Sequence, residues 1–155
     1  MLKAKEVYLT DMCAQSVKLM RENIDLNKNM LGSRAFSVNY LEWGKHDIEI
    51  SEEARKMARE VNEDKAFPNK SHQGYFDLIL ASDVIYFAGC LQQLADCMRH
   101  FLKPKTGRVL FVNDAARYEV FSDRFEVMLK VAGFVRLLER TDLEFQGQRF
   151  NLQIL

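Results

Sequence analysis

The hydrophobic pattern of this chain keeps changing period, and that alternation is its strongest constraint. Glu6-Val7-Tyr8-Leu9 reads as a short strand. Cys13, Val17, Met20 and Ile24 then fall at the i, i+4, i+7, i+11 spacing of an amphipathic helix. Ala35 to Trp43 returns to strand character. Ser51-Glu52-Glu53 opens a charged helix, with Ser51 as N-cap and two glutamates at the positive end of the helix dipole. The stretch from 45 to 74 reads as that helix and a polar loop holding Pro68. Phe76 to Ala81 is an apolar run of the kind a strand buried on both faces shows. Leu91, Leu94, Met98 and Phe101 mark another helix, Arg108 to Val112 another strand, and Phe121, Phe125, Met128 and Ala132 a last helix stopped by Gly133. The ending changes again. Phe134 to Leu138 and Phe150 to Ile154 read as two strands joined across DLEFQGQ, an antiparallel hairpin.

Strands alternating with helices imply a parallel α/β sheet, here a Rossmann-like sheet with helices on both faces and a C-terminal antiparallel hairpin. The 155 residues suit a single domain, 1–155, with a real core. Lys+Arg and Asp+Glu are both 22, so the formal net charge is zero and a nucleic-acid partner is not expected. No apolar run approaches the ~20 residues that span a bilayer, so no membrane partner is expected. Cys13, Cys90 and Cys97 show neither a disulfide framework nor zinc spacing, which suits cytoplasm, or also nucleus.

In open parallel sheets, ligands bind beyond the carboxyl ends of the strands. Four polar steps lie at those ends: Thr10-Asp11, Leu41-Glu42-Trp43, Ser82-Asp83 and Asn113-Asp114. Asp11 suits the two hydroxyls of a ribose, or it caps the helix that follows. Trp43, the only tryptophan, offers a flat ring to a planar ligand, or packs over the sheet edge. Glu42 meets a ligand amine or faces water. Asp83 interrupts an otherwise apolar FDLILASDVIYF, where an ionised carboxylate is costly unless partnered. It either caps the next helix or takes an amine in the crevice. Tyr86 orients that amine or is a core aromatic. Asn113, Asp114, Arg117 and Tyr118 line a protein-substrate groove, or form a polar loop in which Arg117 pairs with Asp114.

Taken in order, VYLTD, YLEWG, LILASDVIY, the AARYEVF segment and a closing hairpin resemble the class I S-adenosylmethionine-dependent methyltransferases. More narrowly, they resemble the protein-lysine methyltransferase family that modifies chaperones, elongation factors and calmodulin. Asp83 to Tyr86 and Leu41 to Gly44 are the most specific parts. The resemblance implies S-adenosylmethionine as cofactor and a lysine side chain of a protein as acceptor. It implies that Asp11 holds the cofactor ribose and that Trp43 lies against adenine, with Leu41 and Glu42 beside it. Ser82 and Asp83 then sit near the methionine moiety and the incoming lysine, and Tyr86 helps form the acceptor channel. The family also carries a strand and a glycine-rich loop ahead of the strand that starts here. None of the seven glycines precedes Val7, and no two form a GxG. The chain therefore reads as an N-terminally truncated version of the fold, its missing part supplied by a longer parent segment or a partner chain. In that case the strands of Val7 and Leu80 pair directly or leave a gap. The alternative is a non-catalytic protein-interaction module on the same scaffold.

Overall fold

The computed structural model describes residues 4–32, 35–44, 56, 60, 62, 67 and 72–155. They divide into two units, Met1–Lys70 and Ser71–Leu155.

In the first unit, β1 (Glu6–Asp11) and β2 (Ala35–Tyr40) run parallel, in register from Glu6↔Ala35 to Asp11↔Tyr40. They are linked by α1 (Ala14–Leu31), which packs on both strands. Val17 is its fully buried anchor, with Met20 and Ile24 half-buried on the same stripe. Arg21 donates to the carbonyl of Val38 at 3.2 Å. The opposite side of α1 exposes Leu19, Leu26 and Met30. β2 stops at Tyr40, three residues short of the expected Trp43, because Leu41 to Gly44 leave the strand and turn, with Gly44 at φ 83. The helix expected from Ser51 lies outside the described residues, apart from Lys56 and Glu60, which are helical.

Asn62 ties this unit together. Its Oδ1 accepts the N–H of Tyr40 at 2.6 Å, and its Nδ2 donates to the carbonyl of Phe67 at 2.6 Å. Both partners are buried, and the Phe67 ring meets Tyr8 at a centroid distance of 5.4 Å. Asn62→Ala strands a buried donor and a buried acceptor, each worth roughly 1–3 kcal/mol when left unpaired. Urea denaturation is expected to show a loss of about 2–3 kcal/mol with an unchanged m-value.

In the second unit the strands are β3 (Leu78–Ser82), β4 (Arg108–Asp114), β5 (Leu138–Phe145) and β6 (Gln148–Ile154), in the order β3-β4-β6-β5. β3 and β4 are parallel, and the other two pairings are antiparallel. A 3-10 turn, Ala88–Cys90, leads into α2 (Leu91–Phe101), and α3 (Ala115–Val131) follows β4 directly. α3 packs on β4 and β6, on the face carrying Phe111, and α2 packs against α3. Phe111 meets Phe125 of α3 edge-to-face, centroids 5.6 Å apart. A polar seam runs beside this apolar core. Gln153 donates to the Tyr118 hydroxyl (2.5 Å) and to Glu139 (2.9 Å), and Arg136 bridges Glu139 and Glu126. Burial would raise the Glu139 carboxyl. The hydrogen bonds from Gln153 and Asn151 and the charge of Arg136 outweigh it, and the carboxyl lies below its usual range.

The other face of β3 stays open. Leu80 is 69% exposed and Leu78 is also exposed. Among the described residues β3 pairs only with β4, and β1 only with β2.

Two expectations near the C-terminus are corrected. Residues 134–137 are not strand. Gly133, at φ 84, and Phe134 donate to the carbonyls of Lys130 and Leu129, a Schellman closure of α3 that consumes them. The ladder begins only where the N–H of Leu137 meets Ile154. DLEFQGQ is mostly strand, not loop. Only Gln146 and Gly147 turn, at φ 51 and φ 78, the left-handed pair of a two-residue type I′ hairpin.

Candidate functional site

In the first unit the register brings the carboxyl ends of β1 and β2 side by side, Asp11 opposite Tyr40. The Asp11 carbonyl accepts the N–H of Leu41 at 3.0 Å, which fixes the start of the Leu41-Glu42-Trp43 turn beside Asp11. Asp11 Oδ1 accepts the N–H of Cys13 at 2.7 Å, so the acid does secure the head of α1 with one oxygen. Hydrogen bonds from the backbone of Ser16 and Gln15 draw the exposed Cys13 thiol below its usual range. Leu41 is buried, while Glu42 and Trp43 are half-buried. The Tyr40 hydroxyl donates to Glu42 at 2.9 Å. Burial, with that hydrogen bond and the nearby charge, pushes the Tyr40 phenol up to about 12. Glu42 is thereby oriented by its own strand. Asp11, Leu41, Glu42 and Trp43 thus share one rim.

The second unit has its own rim at the ends of β3 and β4, where Ser82 stands opposite Val112. Asp83 does not cap a helix, because α2 begins only at Leu91 and residues 83–87 are extended or irregular. Its backbone is left-handed, φ 51, and its N–H donates to the carbonyl of Val112 at 2.8 Å. A non-glycine residue held there costs on the order of 1 kcal/mol. Its carboxylate is answered by Arg117, with Nη1 2.5 Å from Oδ2. Tyr86, 52% exposed, is no core aromatic. It lies in the same irregular segment as Asp83, and both it and Ser82 are solvent-accessible.

Arg117 was expected to meet Asp114. Only its backbone does: Asp114 is the N-cap of α3, and its Oδ1 accepts the Arg117 N–H at 2.9 Å. Asn113 and Tyr118 are buried and line no surface groove. The Asp83–Arg117 pair is what sequence reasoning missed. Its one local signal is a cation in the first turn of a helix, where the macrodipole disfavours positive charge by roughly 0.3–1 kcal/mol.

Residues 57–130, the segment holding Ser82, Asp83, Tyr86 and Arg117, match the profile of a family described as lysine methyltransferase. No curated protein matches the sequence. Solved structures do resemble it. The PH0226 protein of Pyrococcus horikoshii OT3 superposes with TM-score 0.60 at 15% identity, over 96% of this chain and 70% of that one. The trans-methyltransferase CalH, solved with SAH, gives 0.57 at 15%, over 95% of this chain and 41% of its own. The CurJ carbon methyltransferase gives 0.56 at 15%, over 96% and 40%. Among the described residues no helix is long and apolar enough to cross a membrane. The strand orders, the terminal hairpin and these superpositions together establish a Rossmann-like α/β fold of the methyltransferase type.

Proposed function

We propose that this chain is an S-adenosylmethionine-dependent protein methyltransferase module whose acceptor is a lysine side chain. The observation that carries the reading is the match of residues 57–130 to a lysine methyltransferase profile, over the segment that presents Asp83 and Tyr86 at a strand end. The cofactor reading is supported by the donor set of the first unit. A carboxylate with one oxygen engaged, beside a half-buried indole at parallel strand ends, suits a ribose diol and an adenine. Asp11, Leu41, Glu42 and Trp43 would hold that nucleoside. When bound, S-adenosylmethionine supplies a methyl group activated on a sulfonium.

The chain's own contribution is positioning. A lysine amine, of ordinary pKa ~10.4, must lose its proton before its lone pair can attack. In this reading Asp83 accepts a hydrogen bond from the amine and aims it, Ser82 flanks it, and Tyr86 walls the approach. These residues would thereby hold the deprotonated amine in line with the methyl group that the bound cofactor would supply. The acceptor is a protein of cytoplasm or nucleus. Among the described residues β1 and β3 each have an edge without a strand partner, and on either edge a further strand, from a parent segment or a partner chain, would pair. Those same open edges favour the second reading, a non-catalytic interaction module that binds its partner by strand addition.

Calorimetric titration of the chain with S-adenosylhomocysteine separates the two. Saturable binding, weakened at least tenfold by Asp11→Ala or Trp43→Ala, is expected. A folded chain that binds none removes the catalytic reading for this polypeptide and leaves the interaction module. Incubation with tritiated S-adenosylmethionine and a cell extract then identifies the acceptor as a labelled protein band that Asp83→Ala abolishes.

A further inference from the structure

We infer that Arg117 is a positioning residue that keeps Asp83 in an ion pair, so that the acceptor amine meets a neutralised carboxylate and gives up its proton more readily. The inference rests on the methyl-transfer reading above and deepens it.

Three observations converge. Arg117 Nη1 lies 2.5 Å from Asp83 Oδ2, across 34 residues of sequence and from a different element. Asp83 is held in the left-handed region by its bond to Val112. Arg117 sits in the first turn of α3, the wrong end of a helix for a cation. The side chains of Arg117 and Asp83 are 45% and 44% exposed, and ion pairs that exposed contribute little to stability. Two locally unfavourable placements therefore build a contact that stability alone does not explain. It stands at the carboxyl ends of β3 and β4, where this fold binds ligands.

The chemistry supplies a reason. An isolated carboxylate beside an amine favours the ammonium form and raises its pKa, which opposes attack. A carboxylate already paired with a guanidinium does so far less. Its second oxygen still accepts a hydrogen bond from the neutral amine. Among the described residues, the other titratable groups beside these strand ends are Asp114, whose Oδ1 is committed to the Arg117 N–H, and Tyr86 in Asp83's own segment. Arg117 is the one cation bonded to Asp83 among the described residues.

The test compares the pH dependence of kcat for the unsubstituted chain, Arg117→Gln and Arg117→Lys. It uses tritiated S-adenosylmethionine and the acceptor protein found in the labelling experiment. Arg117→Gln is expected to move the acidic limb of kcat up by roughly one pH unit, lowering kcat about tenfold on that limb. It should also lower KM for the acceptor, because the ammonium form binds better. Arg117→Lys should restore most of the profile, since a cation returns. Unchanged binding of S-adenosylhomocysteine shows that each variant is folded. A pH-independent fall in kcat with KM unchanged overturns the inference and leaves a structural contact. Absence of transfer by the unsubstituted chain removes the methyltransferase reading itself, and the role of Arg117 falls with it.

Discussion

Phe125→Ala is expected to cost about 3–5 kcal/mol, the range for removing a fully buried phenylalanine and leaving a cavity. The ring is completely buried and meets Phe111, also completely buried, at an interplanar angle of 88°. Edge-to-face pairs of this kind add roughly 0.5–1.5 kcal/mol beyond the area they bury. The helix that carries Phe125 has few other anchors. Only Ala115, Tyr118 and Leu129 are buried with it, and Tyr118 spends its hydroxyl on Gln153 and Glu126. Losing Phe125 therefore loosens α3 from the sheet and with it the placement of Arg117. Set against a total stability of ~5–15 kcal/mol for an ordinary domain, the loss is a large fraction. Urea denaturation followed by near-ultraviolet circular dichroism measures it. A loss below about 1 kcal/mol would mean that α3 is held by something other than this ring pair.

Asp83→Gly is expected to separate stability from activity. Glycine adopts φ 51 without strain, so the substitution relieves on the order of 1 kcal/mol at the backbone. Against this stands a half-exposed ion pair worth about 0–1 kcal/mol. The variant should thus melt within a few degrees of the unsubstituted chain, or above it. Methyl transfer should fall by about two orders of magnitude or more, because the group that aims the amine is gone. Asp83→Asn sharpens the contrast: asparagine tolerates the left-handed region and keeps an acceptor oxygen, but loses the charge that pairs with Arg117. Thermal melts and initial rates on the same preparations read both effects. Full transfer by Asp83→Gly would assign Asp83 to the turn alone.

How much of this was legible in the sequence depends on the range of the interaction. Helical and strand periodicities are local, so α1, α2, β4 and the alternation of β6 followed from spacing. Asp114 at the head of α3 is a local signal too, an acid three residues ahead of the N–H it caps, but the segment read instead as a groove or a polar loop. The pairing of Arg117 with Asp83 was not local, and no periodicity connects residues on different elements. Asp83 itself misled because an acid after a strand is a familiar helix cap. The chain spends eight residues before α2 begins, and Val84-Ile85 gives that delay no turn signal. At the C-terminus, Phe134 to Leu138 has strand composition, but its first residue closes the helix behind it. Gln146 in the left-handed region was likewise hidden, since glutamine lacks the turn preference of asparagine or glycine.

β3 leaves one row of backbone donors and acceptors without a strand partner among the described residues, and it shows Leu78 and Leu80 on an exposed face. Soluble proteins usually blunt such an edge with a lysine, a proline or a bulge, and Leu78-Ile79-Leu80-Ala81-Ser82 contains none of these. A short apolar, uncharged segment of high strand propensity is also the pattern that seeds fibrillar stacking. The same five residues that carry Asp83 to the rim therefore also present an edge onto which another strand can pair. Left uncovered, this edge templates self-association. Anything that docks along it acts first as a solubiliser.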